Sequence, residues 1–147
     1  GRPDLIYGMV SWQQKINITP DCVAQRTVAR FLEKGLMEPH IAGIRKFYAP
    51  YLNKMLGDLE RYMPANVSWT KPQGGIFLWM TLPENVNADE LFHQAAQHKV
   101  SFIPGSKFYP EGQEKFNTLR LNFSFATPEQ IETGIKRLAD LLDQSQA

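Results

Sequence analysis

The sequence predicts an α/β protein of the α+β kind, in which a small sheet is covered by helices. Three observations predict it. Helix and strand signals alternate along the chain with clear Gly and Pro punctuation between them. Thr118 to Phe123 alternates cleanly as a strand, with Leu119, Leu121 and Phe123 on one side and Thr118, Arg120 and Asn122 on the other. The closing segment opens on Thr127-Pro128-Glu129-Gln130, a strong helix start, with Ile131, Ile135, Leu138 and Leu142 at helical spacing.

The elements follow in order. Leu5-Ile6-Tyr7-Gly8-Met9-Val10 is apolar and short enough for a buried strand. Thr19-Pro20-Asp21 reads as a helix start: Thr19 caps free N–H groups, Pro20 suits the first helical position, and Asp21 favours the positive helix end. Val23, Ala24, Val28, Phe31 and Leu32 form the stripe of that helix, and Gly35 ends it. A longer helix starts near Pro39 with a stripe from Ile41 through Tyr62; Pro50 within it predicts a kink. Val67 to Thr70 is a short strand, Lys71 to Gly75 a turn, and Ile76 to Leu82 a second strand. Asn87 to Glu90 has the form of a helix cap, followed by Leu91, Phe92, Ala95 and Ala96 as a buried stripe. Val100 to Ile103 is another strand, ended by Pro104-Gly105. The first 37 residues read as a leader from a different domain, and 38–147 as the small domain itself.

Composition narrows the function classes. With 43% hydrophobic and 21% charged residues, the 147-residue chain has material for one core. A net charge of +1 leaves no electrostatic footprint for nucleic acid or an anionic membrane, and no apolar stretch approaches a membrane span. Cys22, the single cysteine, cannot form an internal disulfide, which fits a reducing cytoplasm. Gly1-Arg2-Pro3-Asp4 has neither an initiating Met nor a signal-peptide core, so an excised piece of a longer chain is expected. His40, His93 and His98 lack metal-ligand spacing, and no G-x-S-x-G elbow occurs, so neither a metal centre nor a serine hydrolase is expected.

Arg120 is the most informative residue. A guanidinium on a strand whose other face is apolar needs a partner; its fork of donors matches a carboxylate by two parallel hydrogen bonds. It is a clamp for an acidic ligand, a solvent-facing strand arginine, or the partner of an internal Asp or Glu. Gly74-Gly75 permits close backbone approach to a ligand, or simply makes a hairpin. Pro104 to Tyr109 borders a site or is an ordinary turn carrying a packed aromatic, Phe108.

The order of motifs goes further. Gln25-Arg26-Thr27-Val28-Ala29-Arg30-Phe31-Leu32-Glu33-Lys34-Gly35 is followed by His40-Ile41 and Ile44-Arg45-Lys46-Phe47-Tyr48. Pro72-Gln73-Gly74-Gly75-Ile76-Phe77-Leu78-Trp79, Pro104-Gly105-Ser106-Lys107-Phe108 and Leu119-Arg120-Leu121-Asn122-Phe123-Ser124 come after them. In this collinear order, across nearly the whole chain, the sequence resembles the carboxy-terminal part of class I/II, fold-type I aminotransferases. The nearest branch holds the aminoadipate and kynurenine types and the aminotransferase-like domains of MocR regulators.

The resemblance implies a parent enzyme that uses pyridoxal phosphate to move an amino group between an amino acid and a 2-oxo acid. Arg120 occupies the position of the family's α-carboxylate-binding arginine, with Gly75 and Phe108 lining the same side of the cleft. Pro3-Asp4-Leu5-Ile6-Tyr7-Gly8 resembles the segment that opens a strand just after the Schiff-base lysine. That lysine would then precede Gly1, with most of the cofactor site, and the family's phosphate-binding arginine would fall near Ile6, where this sequence has none. No residue of this chain is therefore expected to be catalytic, and the chain alone is expected to be inactive. A homodimeric, cytoplasmic parent is implied. The alternatives are the effector domain of a MocR/GntR-type regulator, whose DNA-binding part would be amino-terminal, and an isolated binding module.

Overall fold

The structure is a computed structural model that describes residues 1–17 and 21–146. The chain divides into two compact units, Gly1–Ile44 and Arg45–Ala147.

The first unit holds two helices and the start of a third: α1 (Pro3–Ile16), α2 (Cys22–Glu33) and the opening turns of α3 (Met37–Tyr62). The strand expected at Leu5–Val10 is instead the heart of α1. Pro3 sits in the first turn, where its fixed φ is pre-set for a helix and its missing N–H costs nothing. Asp4 adds negative charge at the positive helix end and accepts hydrogen bonds from Arg2 at 3.2 and 2.7 Å. A short apolar run carries no period of its own, so these end signals decide. Since the segment is helical, its likeness to a strand-opening motif fails, and with it the departure at Ile6. No side chain of α1 or α2 is buried.

Asp21 caps α2, accepting from Val23 N at 2.8 Å and Ala24 N at 3.2 Å. The expected contributions of Thr19 and Pro20 lie outside the described residues. Gly35, at φ +66°, closes α2: its N–H donates to Leu32 O and Leu36 N–H to Phe31 O. This is a Schellman ending, and the left-handed residue is the one that favours glycine.

The second unit packs α3 from Arg45 onward, α4 (Ala88–Gln97) and α5 (Pro128–Gln146) with a four-stranded antiparallel sheet. Its strands are β1 (Ser68–Trp69), β2 (Phe77–Thr81), β3 (Ile103–Pro104) and β4 (Thr118–Asn122), in the order β1-β2-β4-β3. A short 3-10 helix (Gly105–Phe108) follows β3. α3 runs through Pro50 as one helix. The register pairs Leu78 with Leu121 and Met80 with Leu119, putting four apolar side chains on one sheet face. They join Met55 and Leu59 of α3, Leu91 and Ala95 of α4, and Ile131, Ile135, Leu138 and Leu142 of α5 in one core. Ala96, expected in the α4 stripe, is exposed.

The strand expected at Val100–Ile103 is displaced to Ile103–Pro104. α4 ends in the same Schellman manner as α2: Lys99 N–H donates to Ala96 O and Val100 N–H to Ala95 O. Lys99 holds the left-handed conformation, φ +58°. The cap takes the backbone of Val100, whose side chain goes to the core. α5 opens on a reciprocal capping box: Gln130 N–H donates to Thr127 Oγ1 at 3.3 Å, and Thr127 N–H to Gln130 Oε1 at 2.9 Å.

Candidate carboxylate-binding site

Antiparallel register sets which side chains share the second sheet face. Trp79 of β2 and Ile103 of β3 lie directly opposite Arg120 of β4, and Phe77 lies opposite Asn122. Phe77, Trp79, Ile103, Arg120 and Asn122 therefore project from the face away from the core. Thr118 belongs to this face by register but is buried, because Gly105 sits directly on it. That close approach starts the 3-10 helix over the sheet and carries Phe108 towards Arg120.

Arg120 is half-buried, and its Cζ lies 3.8 Å from the ring centre of Phe77 and 4.6 Å from that of Phe108. Trp79 meets Phe108 edge-on at 5.5 Å and Tyr109 at 6.2 Å, so a continuous aromatic surround frames the guanidinium. Among the described residues no carboxylate pairs with Arg120 and no acceptor takes its N–H groups. Lys107, from the same loop as Phe108, is turned to Asp89 at 3.6 Å.

Arg120 and Phe77 are also among the residues that line a cavity of about 630 Å³, together with Lys99, Asn122, Arg137 and core side chains such as Leu121 and Ile131. No Asp or Glu lines it. An acid-free cavity with three cationic side chains favours an anionic ligand, and the free fork of Arg120 suits a planar carboxylate. The same lining has no His, Cys, Asp or Glu. No group of side chains able to hold a metal ion occurs among the described residues.

The structure brings two of the three site residues expected from sequence together, Arg120 and Phe108. Gly75 stands apart. It lies in the turn between β1 and β2 at φ +76°, exposed, with open space where a Cβ would be. Its conformation lets the hairpin close. Phe77 was not among the expected residues. Its signal was the Phe77-x-Trp79 spacing, which places both rings on one face, but only the β2–β4 register shows that this is the face of Arg120.

The family described as aminotransferase class I and II matches residues 1–138. The aromatic-amino-acid aminotransferase 1 of Thermococcus litoralis is 36% identical over 142 residues, 97% of this chain and 34% of that protein. A crystal structure of the Pyrococcus horikoshii kynurenine aminotransferase superposes with a TM-score of 0.88 at 37% identity, covering 99% of this chain and 36% of that one. The HTH-type transcriptional regulator YisV of Bacillus subtilis is 29% identical over 118 residues, 80% of this chain and 24% of that protein. The chain spans about a third of the length of the first curated relatives it matches. On a family match that covers nearly all its residues, the chain belongs to the class I and II aminotransferases.

Proposed function

We propose that Arg120 binds the α-carboxylate of the substrate in a pyridoxal-phosphate-dependent aminotransferase of which this chain is the carboxy-terminal part. The parent moves an amino group between an amino acid and a 2-oxo acid. One observation carries the reading: Arg120 is half-buried on the sheet face away from the core, framed by aromatic rings, with no acceptor among the described residues. An arginine held so without a partner is a poor structural element and a ready one for recognition. In this reading residues 1–37 belong with the large domain and its linker, and 38–147 form the small domain. The parent is a cytoplasmic homodimer.

The described residues do not by themselves fit the cofactor. Bound pyridoxal phosphate supplies an electron sink for loss of the α-proton, and it needs a lysine set in a pocket together with a phosphate cradle. No lysine among the described residues is buried. Lys54, Lys71, Lys107 and Lys136 are held in ion pairs, and Lys15 stacks on Trp12. The Schiff-base lysine and the cradle are assigned to other parts of the longer polypeptide, and this chain alone is inactive.

Borohydride reduction after pyridoxal phosphate titration, with peptide mapping, tests that assignment. Scattered, substoichiometric labelling of surface lysines is expected of this chain. One saturable adduct, for which Lys99 at the cavity is the position to watch, would contradict it. The likeness to YisV favours one second reading, an effector domain that binds the same carboxylate without turnover. Transamination by the full-length polypeptide separates the two.

A further inference from the structure

We infer that Phe77 and Phe108 are positioning residues for Arg120, holding its guanidinium so that its in-plane donors stay free for a carboxylate. The inference rests on the reading of Arg120 as the carboxylate site. Guanidinium N–H groups all point outward in one plane, so hydrogen bonding uses the edge and leaves the faces idle. Cζ sits over Phe77 at 3.8 Å, too close for an N–H to point at that ring, so Phe77 lies against the guanidinium face; Phe108 is the second ring, with Cζ 4.6 Å from its centre. Phenyl rings attract the cation through their π faces but carry no acceptor that could compete for the N–H groups.

An ion pair would fix Arg120 equally well, yet it would occupy the donors the ligand needs. Aromatic contacts fix the side chain without occupying them. Each ring is itself placed by a separate element, Phe77 by β2 and Phe108 by the 3-10 helix seated on Thr118. Phe77 and Phe108 are 39% and 46% exposed and stand outside the core cluster. An arginine immobilised before the ligand arrives loses less freedom on binding, which raises affinity with no added ligand contact.

The test uses the full-length polypeptide loaded with cofactor, and compares L-phenylalanine with phenethylamine, the same molecule without its carboxylate. The ratio of the two kcat/KM values measures carboxylate recognition alone. F77L is expected to lower that ratio by about 5- to 30-fold, the loss of one cation–π contact, and F77Y to restore it. F108L is expected to act in the same direction. In the R120A background F77L should have no further effect on the ratio. A second readout needs no turnover: in the cofactor-free polypeptide, phenylglyoxal should label Arg120 several-fold faster in F77L than in the wild type, followed by peptide mapping.

If F77L slows both substrates equally, or still lowers the ratio when Arg120 is absent, the ring is packing only and the inference fails. If R120A leaves the ratio unchanged, the carboxylate reading itself fails, whatever F77L does.

Discussion

At the scale of single residues, the site depends on one glycine as much as on the arginine. A Cβ on Gly105 would lie 2.8 Å from the Cβ and the backbone carbonyl oxygen of Thr118. Backbone cannot rotate away as a side-chain tip can, so G105A forces the 3-10 helix off the sheet and takes Phe108 with it. A loss of about 1–3 kcal/mol is expected from such overpacking. Urea denaturation should show it as a lower midpoint, while G74A, with open space at its Cβ position, should stay near the wild type. Equal midpoints would show that the close approach is unimportant. Arg120 and Phe108 stood out through the collinear family motifs, because locally an arginine alternating with leucines also suits a surface position and an aromatic in a strand-end loop also suits packing. Phe77 and Gly105 were illegible as site-builders, because their importance arises from β2–β4 register and from contact with Thr118 thirteen positions away in the chain.

Elements show where local signals suffice and where they conflict. α5 was legible because its Thr127–Gln130 capping box and its apolar stripe agree. α1 was not, since six apolar or small residues suit strand and helix alike. β3 was misplaced because the sequence gives no glycine at the end of α4; Lys99 takes the left-handed position that Gly35 takes after α2. A lysine there is strained, so K99G should raise stability by about 0.5–1 kcal/mol, less the entropy glycine adds to the unfolded chain. Thermal unfolding checks this, and a lower midpoint for K99G would contradict the strain assigned to Lys99.

A second element-scale feature joins α3 to α5. Lys54 bridges Asp58 at 2.7 Å and Glu132 at 2.6 Å, while Lys136 and Tyr62 reach Glu132 at 2.8 and 3.0 Å. Hydrogen bonds from Lys136, then Lys54 and Tyr62, pull the Glu132 carboxyl down from 4.5 to about 2. Because its native pKa lies below the unfolded value, the unfolded chain takes up this proton first. Its contribution is present above pH 4.5 and is lost as pH falls towards about 2. E132Q should therefore flatten the fall in melting temperature over that window, and parallel acid slopes for variant and wild type would refute the assignment.

For the whole molecule, the second unit carries its own core, whereas α1 and α2 bury no side chain. Exposed Leu5, Met9 and Trp12 on α1 suit a chain that spans a third of its relatives' length. The fold class was legible because helix and strand periods alternate, and the family because its motifs stand in collinear order from Gln25 to Ser124. What no local pattern carries is the surround of the arginine, which three strands and a 3-10 helix build jointly.

The central claim is that Arg120 recognises the substrate carboxylate, and kcat/KM of R120A in the full-length polypeptide tests it most directly. Loss of a bidentate, charge-assisted pair predicts a fall of about 100-fold or more for L-phenylalanine, with phenethylamine little changed. An unchanged kcat/KM for the amino acid, or an equal fall for both compounds, would contradict the claim.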